Sequence, residues 1–274
     1  MNIFFNTALV QQDHLNLALN DRAFSYGDGL FETLISLQGQ LLFWPNHYQR
    51  LSAGMAALAM QPPEYFSAAL LEKQMQQLLN ANELTDTARL RIQVWRQAGG
   101  LYTPTTQAVN VLITAQACAR PQVSVKRKAL FYKDHRLHYS TISAYKTCNA
   151  LPYVLAGIAK TQADAEEMIL LDTNGYLAEC VASNLFWIKD QVFYTPSLQS
   201  GCIAGIMRQQ IIQRIQTRGL SVREGLFNKE MLLEADDAFC CNVAGIQWLA
   251  QIENKEFSEE RRPAIEQWLF SWSS

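Results

Sequence analysis

The chain contains no apolar run long enough to cross a bilayer and no block of like charge. Its longest apolar runs, such as residues 154–159, fall far short of the roughly 20 residues that a membrane helix needs. The 274 residues carry a formal net charge of -2, which gives no electrostatic attraction to nucleic acid or to a membrane surface. The opening residues, Met-Asn-Ile-Phe-Phe-Asn, lack the basic and apolar segments of a signal peptide, so we expect none.

Metal-ligand spacings and two common catalytic motifs are also missing. The six cysteines form no CxxC pair and have no histidine nearby, and His47 and His138 lack ligand spacing, so we expect no metal site. Several cysteines lie among apolar residues, as free thiols do in a reducing cytoplasm, which is the expected location. No Gly-x-Ser-x-Gly elbow is present. Gly27-Asp28-Gly29 lacks the third glycine of a dinucleotide site, so we interpret it as a tight turn.

The first half of the chain has the patterns of an α+β domain. With 49% hydrophobic residues, the chain is long enough for one large domain or two smaller ones. Period-two alternation predicts strands and a 3.6-residue spacing predicts helices. The predicted strands cover residues 30–37, 41–44, 90–94, 109–115 and 123–131, and the predicted helices cover 45–60 and 63–81. Polar residues from 133 to 143 predict a connection and a candidate domain boundary.

The second half combines helices with several short strands. A helix is predicted from Lys146 toward Ala165, and Pro152 in its early turns indicates either a kink or a later start. Asn174-Gly175 predicts a hairpin. A further amphipathic helix begins at Gly205, and a terminal helix lies near residue 262. The predicted strands cover residues 168–172, 176–180, 185–189, 192–194, 237–243 and 246–252.

Four residues have surroundings that suit a common chemistry, although each also has an ordinary explanation. Lys146 has mostly apolar or aromatic neighbours, and burial would favour its neutral amine; a solvated lysine is the alternative. Glu179 interrupts an apolar strand, where a buried carboxylate needs a partner, unless it lies at a solvated edge. Gly205 opens a helix, and the N-terminus of a helix can bind a phosphate. Arg50 could pair with a phosphate through its charge. An ordinary helix start and a surface arginine are the alternatives. An amine, a carboxylate and a phosphate site are what a pyridoxal phosphate enzyme needs.

Taken in order, the segments resemble the fold type IV pyridoxal phosphate enzymes, the class IV aminotransferase family. The resemblance covers nearly the whole chain and rests on Asp21-Arg22 with Tyr26 to Glu32, His47 to Leu51, Lys146, Glu179 to Phe186, and Gly205 to Arg208. It implies an α+β fold with a small N-terminal α/β sandwich, residues 1–120. A larger pseudo-barrel C-terminal domain with helices, residues 121–274, would carry the cofactor lysine. The resemblance also implies a homodimer that binds a small-molecule substrate.

The same resemblance assigns roles to individual residues. Lys146 is the Schiff-base lysine and catalytic residue, and Glu179 is the partner of the pyridine nitrogen. The other cofactor-binding residues are Arg50, Asn149, the backbone of Ile206 and Met207, and the turn at Asn242 and Val243. Phe31 and Arg96 are assigned to the substrate. Arg91 is a second candidate for the substrate carboxylates, and for both arginines a surface position is the alternative.

Differences within the family favour its aminodeoxychorismate lyases, which make 4-aminobenzoate and pyruvate for folate synthesis. Branched-chain enzymes carry a tyrosine at the position of Leu151, and D-amino acid enzymes carry one at the position of Phe31. Residues 184–187, 194–198 and 205–209 resemble the lyase segments, and Asn149 fits them too, although D-amino acid enzymes share it. The alternative is a class IV aminotransferase that acts on a branched-chain or D-amino acid with 2-oxoglutarate.

Overall fold

The computed structural model describes residues 1–269, which divide into two compact units. Unit 1 consists of Met1–Arg120 and Tyr145–Asn149, and unit 2 consists of Pro121–Ala144 and the chain from Ala150 onward. The sequence-based division at residue 120 therefore differs from the structure in one segment. Residues 145–149, which include Lys146, belong to unit 1 and not to the C-terminal domain in which we placed them.

Unit 1 is built on one antiparallel sheet with two long helices. Its strands are β1 (Asn2–Phe5), β2 (Ala8–Gln11), β3 (Gly29–Leu37), β4 (Gln40–Leu41), β5 (Thr87–Arg96) and β6 (Val109–Ala117), in the order β2-β1-β6-β5-β3-β4. Its helices are α1 (Arg22–Tyr26), α2 (Trp44–Ala57) and α3 (Ala68–Ala81), with a short 3-10 helix at Gln12–His14. Leu34 and Ile92 of the sheet share a buried core with Leu51 of α2 and Met75 of α3. Burial of this apolar surface holds the helices on the sheet.

Local chemistry explains where these elements differ from the predictions. Helix α3 starts at Ala68, five residues later than expected, because the Ser67 hydroxyl accepts a hydrogen bond from Leu70 N and caps the helix. The segment 145–149 is extended, since Phe31 N donates to Lys146 O and Cys148 N donates to Gly29 O. These two bonds attach the segment to the start of β3. The helix predicted from Lys146 is therefore shorter than expected.

Unit 2 contains two sheets and four helices. Its strands are β7 (Gln122–Lys126), β8 (Ala129–Leu137), β9 (Glu167–Asp172), β10 (Leu177–Cys180), β11 (Asn184–Lys189), β12 (Val192–Pro196), β13 (Val222–Gly225), β14 (Asp237–Asn242), β15 (Gly245–Leu249), β16 (Gln251–Ile252) and β17 (Lys255–Glu256). One sheet has the order β10-β9-β8-β16-β17 and the other β13-β12-β11-β14-β15-β7. The helices are α4 (Leu151–Gln162), α5 (Ile206–Thr217), α6 (Lys229–Leu233) and α7 (Arg262–Leu269), with a 3-10 helix at Leu198–Ser200.

The single strand predicted over residues 123–131 is two strands. Strand β7 pairs with β15 in one sheet and β8 pairs with β9 in the other, so the chain changes sheets between Lys126 and Ala129. Strand β8 then continues to Leu137, into the stretch predicted as a connection. Side chains of both sheets, including Ile169 and Trp187, share a buried core. The mixed helix and strand content confirms the predicted α+β class.

Within residues 1–269, no helix is both long enough and apolar enough to cross a membrane. All six cysteines are free thiols. Four of them are buried, namely Cys180, Cys202, Cys240 and Cys241. Free cysteine is among the residue types that are most often buried.

Candidate active site

Lys146 is held in unit 1 by the backbone of the extended segment 145–149. Its carbonyl oxygen accepts a hydrogen bond of 2.9 Å from Phe31 N, and Leu30 and Thr147 form an isolated bridge beside it. The Lys146 Nζ lies 4.6 Å from the centroid of the Phe31 ring. The amine therefore has a position set by main-chain pairing, next to one of the two side chains predicted to bind substrate.

The Phe31 ring also contacts the guanidinium of Arg91, whose Cζ lies 3.9 Å from the ring centroid. Arg91 donates from Nε and Nη2 to the side-chain oxygen of Gln93, at 3.3 and 3.2 Å. Burial lowers the pKa of Arg91, and in the described part of the chain we find no salt bridge to it. A partly buried cation without a carboxylate partner is suited to bind an anionic group.

Arg96, the other predicted substrate ligand, is buried in a network of its own. Its guanidinium donates to Asp28, to the carbonyl oxygens of Leu58 and Ala59, and to the side chain of Gln107. Asp28 also accepts from Arg22, whose Nη1 donates to the carbonyl oxygen of Leu101 at 2.6 Å. Because Nε, Nη1 and Nη2 of Arg96 all donate inside the protein, the geometry favours Arg91 over Arg96 as the ligand of a substrate carboxylate.

Arg50 lies on α2 beside the Glu32 carboxylate, a partner that the sequence pattern does not predict. Its Nε donates to Glu32 Oε1 at 2.7 Å and its Nη2 to Glu32 Oε2 at 2.6 Å. His47 Nδ1 lies 2.7 Å from the same Oε2. The two parallel bonds fix the orientation of the guanidinium as well as its distance from the carboxylate. Glu32 and His47 are each 1% exposed, so this network is shielded from solvent.

Asn149, assigned to the cofactor, is exposed at the end of the segment 145–149. Its backbone nitrogen lies 3.4 Å from the point where a β-carbon on Gly27 would stand, and Gly27 has a φ of +64°. The left-handed backbone at Gly27 favours glycine, whereas a β-carbon there would make only an ordinary contact with Asn149.

In unit 2, Glu179 is a buried carboxylate on β10, with 3% of its surface exposed. Its Oε1 accepts from the Tyr153 hydroxyl at 2.6 Å and from Ile203 N at 3.1 Å, and its Oε2 accepts from Asn184 Nδ2 at 3.2 Å. Burial raises the pKa of Tyr153, and the adjacent Glu179 raises it further. These three neutral donors fix the orientation of the carboxylate. Such a group fits a protonated pyridine nitrogen.

The N-terminus of α5 has the features of a phosphate site. Gly205 is the N-cap residue of the helix, so no N-cap side chain covers the N–H groups of its first turn. These groups and the positive end of the helix dipole attract anions. Ile206 and Met207, the residues assigned to the phosphate, are both buried. Asn184 Nδ2 donates to Ile203 O at 2.8 Å as well as to Glu179, so one side chain links the carboxylate to the entry of this helix.

The turn at Asn242 and Val243 belongs to the same unit. Asn242 Nδ2 donates to Ala182 O and to Ser183 Oγ, each at 3.0 Å, and its Oδ1 accepts from Ala244 N at 2.8 Å. Since the side chain of Asn242 shapes the turn itself, a contact with the cofactor would come from the backbone of this turn.

A second buried polar cluster was not expected from the sequence. Glu167, Cys180 and Cys240 offer ligand atoms within 4.8 Å of one another, a spacing that a metal ion could use. Lys126 forms an ion pair with Glu167, and its Nζ lies 3.7 Å from Cys240 Sγ. The ammonium group already supplies a positive charge there, so we interpret the cluster as structural.

The chain is similar to known proteins over most of its length. The chain is 28% identical over 252 residues to an aminodeoxychorismate lyase of Vibrio harveyi, covering 88% of this chain and 90% of that protein. It is also 28% identical over 248 residues to a D-alanine aminotransferase of Bacillus licheniformis, covering 87% and 83%. Its fold matches the branched-chain amino acid aminotransferase of Escherichia coli with a TM-score of 0.87, at 25% identity and over 97% and 92% of the two chains. The family described as amino-transferase class IV matches residues 29–251, and the chain therefore belongs to this family of pyridoxal phosphate enzymes.

Proposed function

We propose that the protein is a 4-amino-4-deoxychorismate lyase, which converts its substrate to 4-aminobenzoate and pyruvate. The observation that carries this proposal is the group formed by Phe31, Arg91 and Lys146. It offers an aromatic face and a cation without a salt-bridge partner in the described residues, next to the amine. This combination suits a flat, unsaturated ring that bears carboxylates.

The cofactor is proposed to bind through the residues that the family resemblance assigns to it. Lys146 would hold the cofactor covalently, and Glu179 would keep a proton on its ring nitrogen. The N–H groups of Ile206 and Met207, the Arg50 guanidinium, Asn149 and the turn at Asn242 and Val243 complete the set. The buried carboxylate of Glu179 and the helix start at Gly205 support these roles, because they suit the ring nitrogen and the phosphate of pyridoxal phosphate. When bound, the cofactor supplies an electron-withdrawing ring that stabilises a carbanion next to the substrate amine.

Lys146 is proposed to move the protons of the reaction. Its Nζ would remove the proton from the substrate carbon that bears the amine. The same Nζ later returns a proton to the leaving enolpyruvate, which gives pyruvate. Glu179 would face the ring nitrogen with its carboxylate oriented by Tyr153 and Asn184.

Arg91 is proposed to bind a substrate carboxylate. Its guanidinium is already fixed on one side by Phe31 and Gln93, so less side-chain freedom is lost on binding. Phe31 has no hydroxyl group, and it therefore contributes an apolar surface to the substrate ring where D-amino acid enzymes carry a tyrosine.

The direct test is to incubate the purified protein with aminodeoxychorismate and to follow 4-aminobenzoate by its fluorescence. The proposal predicts product without any added 2-oxo acid. The competing function is that of a class IV aminotransferase, and its motivation is the equal identity to the D-alanine enzyme. No 4-aminobenzoate, together with glutamate formed from 2-oxoglutarate and a branched-chain or D-amino acid, would establish that function instead.

We also propose that the protein works as a homodimer in the cytoplasm. Unit 1 exposes several large apolar side chains, including Phe24 (83% exposed) and Tyr102 (89% exposed), and the Tyr102 ring packs on Tyr26. Exposed apolar surface of this kind is typical of protein contacts. Light scattering on the purified chain tests the proposal, which predicts twice the mass of 31.1 kDa.

A further inference from the structure

His47, Glu32 and Arg50 form a buried chain of contacts between α2 and β3. His47 and Arg50 are three residues apart, so they lie on the same face of α2, above Glu32 of β3. The side chains of His47, Glu32 and Arg50 are 1%, 2% and 10% exposed. Glu32 Oε2 is shared, at 2.7 Å from His47 Nδ1 and 2.6 Å from Arg50 Nη2.

The charges of the three groups follow from their surroundings. Burial raises the pKa of Glu32, but the Arg50 charge and the hydrogen bonds from His47 and Arg50 outweigh it and keep this pKa below the ordinary value. Burial lowers the pKa of His47, and the Glu32 carboxylate only partly restores it. His47 is therefore neutral at pH 7. Because Glu32 is an acceptor, the single ring proton of His47 lies on Nδ1.

Of the two ring nitrogens of His47, Nδ1 is the one that bonds to Glu32. Its Nε2 is buried and has no hydrogen-bond partner in the described part of the chain. The bond from Nδ1 to Glu32 is therefore the hydrogen bond that holds the ring of His47 in position.

We infer that His47 is a positioning residue for the cofactor phosphate, because it fixes Glu32 and thereby the Arg50 guanidinium that binds the phosphate. This inference rests on the proposed function of Arg50. A free arginine side chain loses much rotamer entropy when it binds an anion. Here the bidentate bond to Glu32 imposes one orientation before the cofactor arrives, and the bond from His47 keeps the carboxylate in the matching position.

Two substitutions test whether the hydrogen bond from Nδ1 to Glu32 matters, or whether any polar side chain at position 47 is sufficient. The amide of asparagine stands near the position of Nδ1, whereas the amide of glutamine stands near Nε2. His47→Asn can therefore still donate to Glu32, and His47→Gln cannot. His47→Ala is a second variant that removes the donor.

The experiment measures the dissociation constants of pyridoxal phosphate and of pyridoxal for the full chain freed of cofactor, using the visible absorbance of the bound aldehyde. We expect His47→Gln and His47→Ala to weaken pyridoxal phosphate about tenfold. Pyridoxal, which has no phosphate, should bind as it does to the wild type, and His47→Asn should bind both compounds normally. An equal loss for the two compounds, or no loss for either, would overturn the inference.

Arg50→Ala distinguishes this inference from the proposal on which it rests. We expect this variant to lose the preference for pyridoxal phosphate over pyridoxal. If the preference survives in Arg50→Ala, the proposed phosphate role of Arg50 is wrong. If Arg50→Ala loses the preference while His47→Gln and His47→Ala keep it, Arg50 binds the phosphate and only the role of His47 is overturned.

Discussion

The side-chain oxygen of Asn184 lies 1.8 Å from the point where a β-carbon on residue 205 would stand. Only a glycine leaves this space open, although the φ of Gly205 is an ordinary −63°. The close approach brings the Asn184 amide to both Glu179 and Ile203 O. One glycine thus permits the contact that links the proposed pyridine-nitrogen partner to the proposed phosphate site.

Gly205→Ala should damage this link. The new methyl group would displace Asn184, and the loss of its hydrogen bonds to Glu179 and Ile203 should lower the free energy of unfolding by about 2 kcal/mol. Cofactor affinity should fall with it, as measured by the visible absorbance. Gly157→Ala on α4 is the control, because its β-carbon would meet Val181 at an ordinary 3.9 Å. That variant should be as stable as the wild type or slightly more so; equal behaviour of the two variants would contradict the role of Gly205.

Arg91→Met should impair substrate binding and leave the cofactor in place. Loss of the guanidinium removes a charged hydrogen bond to a carboxylate, so KM should rise at least about tenfold. The visible spectrum of the bound cofactor should not change. Arg89→Met provides the matched control, since Arg89 lies on the same strand but is exposed. A normal KM in Arg91→Met would remove Arg91 from the substrate site.

The pH dependence of stability should contain a contribution from His47. Its pKa lies below the ordinary 6.5 in the folded protein, chiefly because of burial. The Glu32 carboxylate raises this pKa, whereas the positive charges of Arg50 and Lys146 lower it. As the pH falls below 6.5, His47 is protonated in the unfolded chain but stays neutral in the folded chain. The free energy of unfolding therefore decreases. This contribution is fully present above pH 6.5 and decreases as the pH falls from 6.5 through the lowered pKa.

Chemical unfolding of the wild type and of His47→Asn at several values between pH 8 and pH 5 measures this contribution. The difference in unfolding free energy between the two proteins should shift in favour of the variant as the pH falls. A difference that stays constant over this range would show that His47 does not titrate as its burial implies.

Lys126→Met tests the structural interpretation of the cluster around Glu167. The variant leaves a carboxylate that is 3% exposed without its cation, which should cost about 3 kcal/mol of stability. Lys189→Met breaks the exposed pair with Glu234 and should have little measurable effect. Thermal unfolding compares them. An increase in metal affinity without loss of stability in Lys126→Met would indicate a cation site instead.

Much of unit 1 follows from local sequence. The period-two pattern over residues 30–37 predicts β3, and the amphipathic spacing predicts α2 and α3. The start of α4 was misplaced, because the extended segment before it depends on hydrogen bonds to β3 that only the folded chain forms. Pro152 was the local indication of a later start, and the helix has this proline in its first turn.

The candidate site shows a similar division. Lys146, Glu179 and Gly205 could be singled out because an amine, a carboxylate and a helix start each stand in a distinctive local context. The link of His47 and Arg50 to Glu32 could not be found in this way, since it depends on the packing of α2 against β3. A glutamate inside the apolar strand β3 was the available indication, because a carboxylate buried there needs a cation.

The formation of 4-aminobenzoate from aminodeoxychorismate by the purified protein is the decisive measurement of lyase activity. We expect one 4-aminobenzoate and one pyruvate per substrate consumed, with no requirement for a 2-oxo acid, and a loss of at least about a hundredfold in rate for Lys146→Ala. Lys160→Ala, on α4, should retain the activity of the wild type. Consumption of an amino acid that depends on 2-oxoglutarate, with no 4-aminobenzoate formed, would contradict the account.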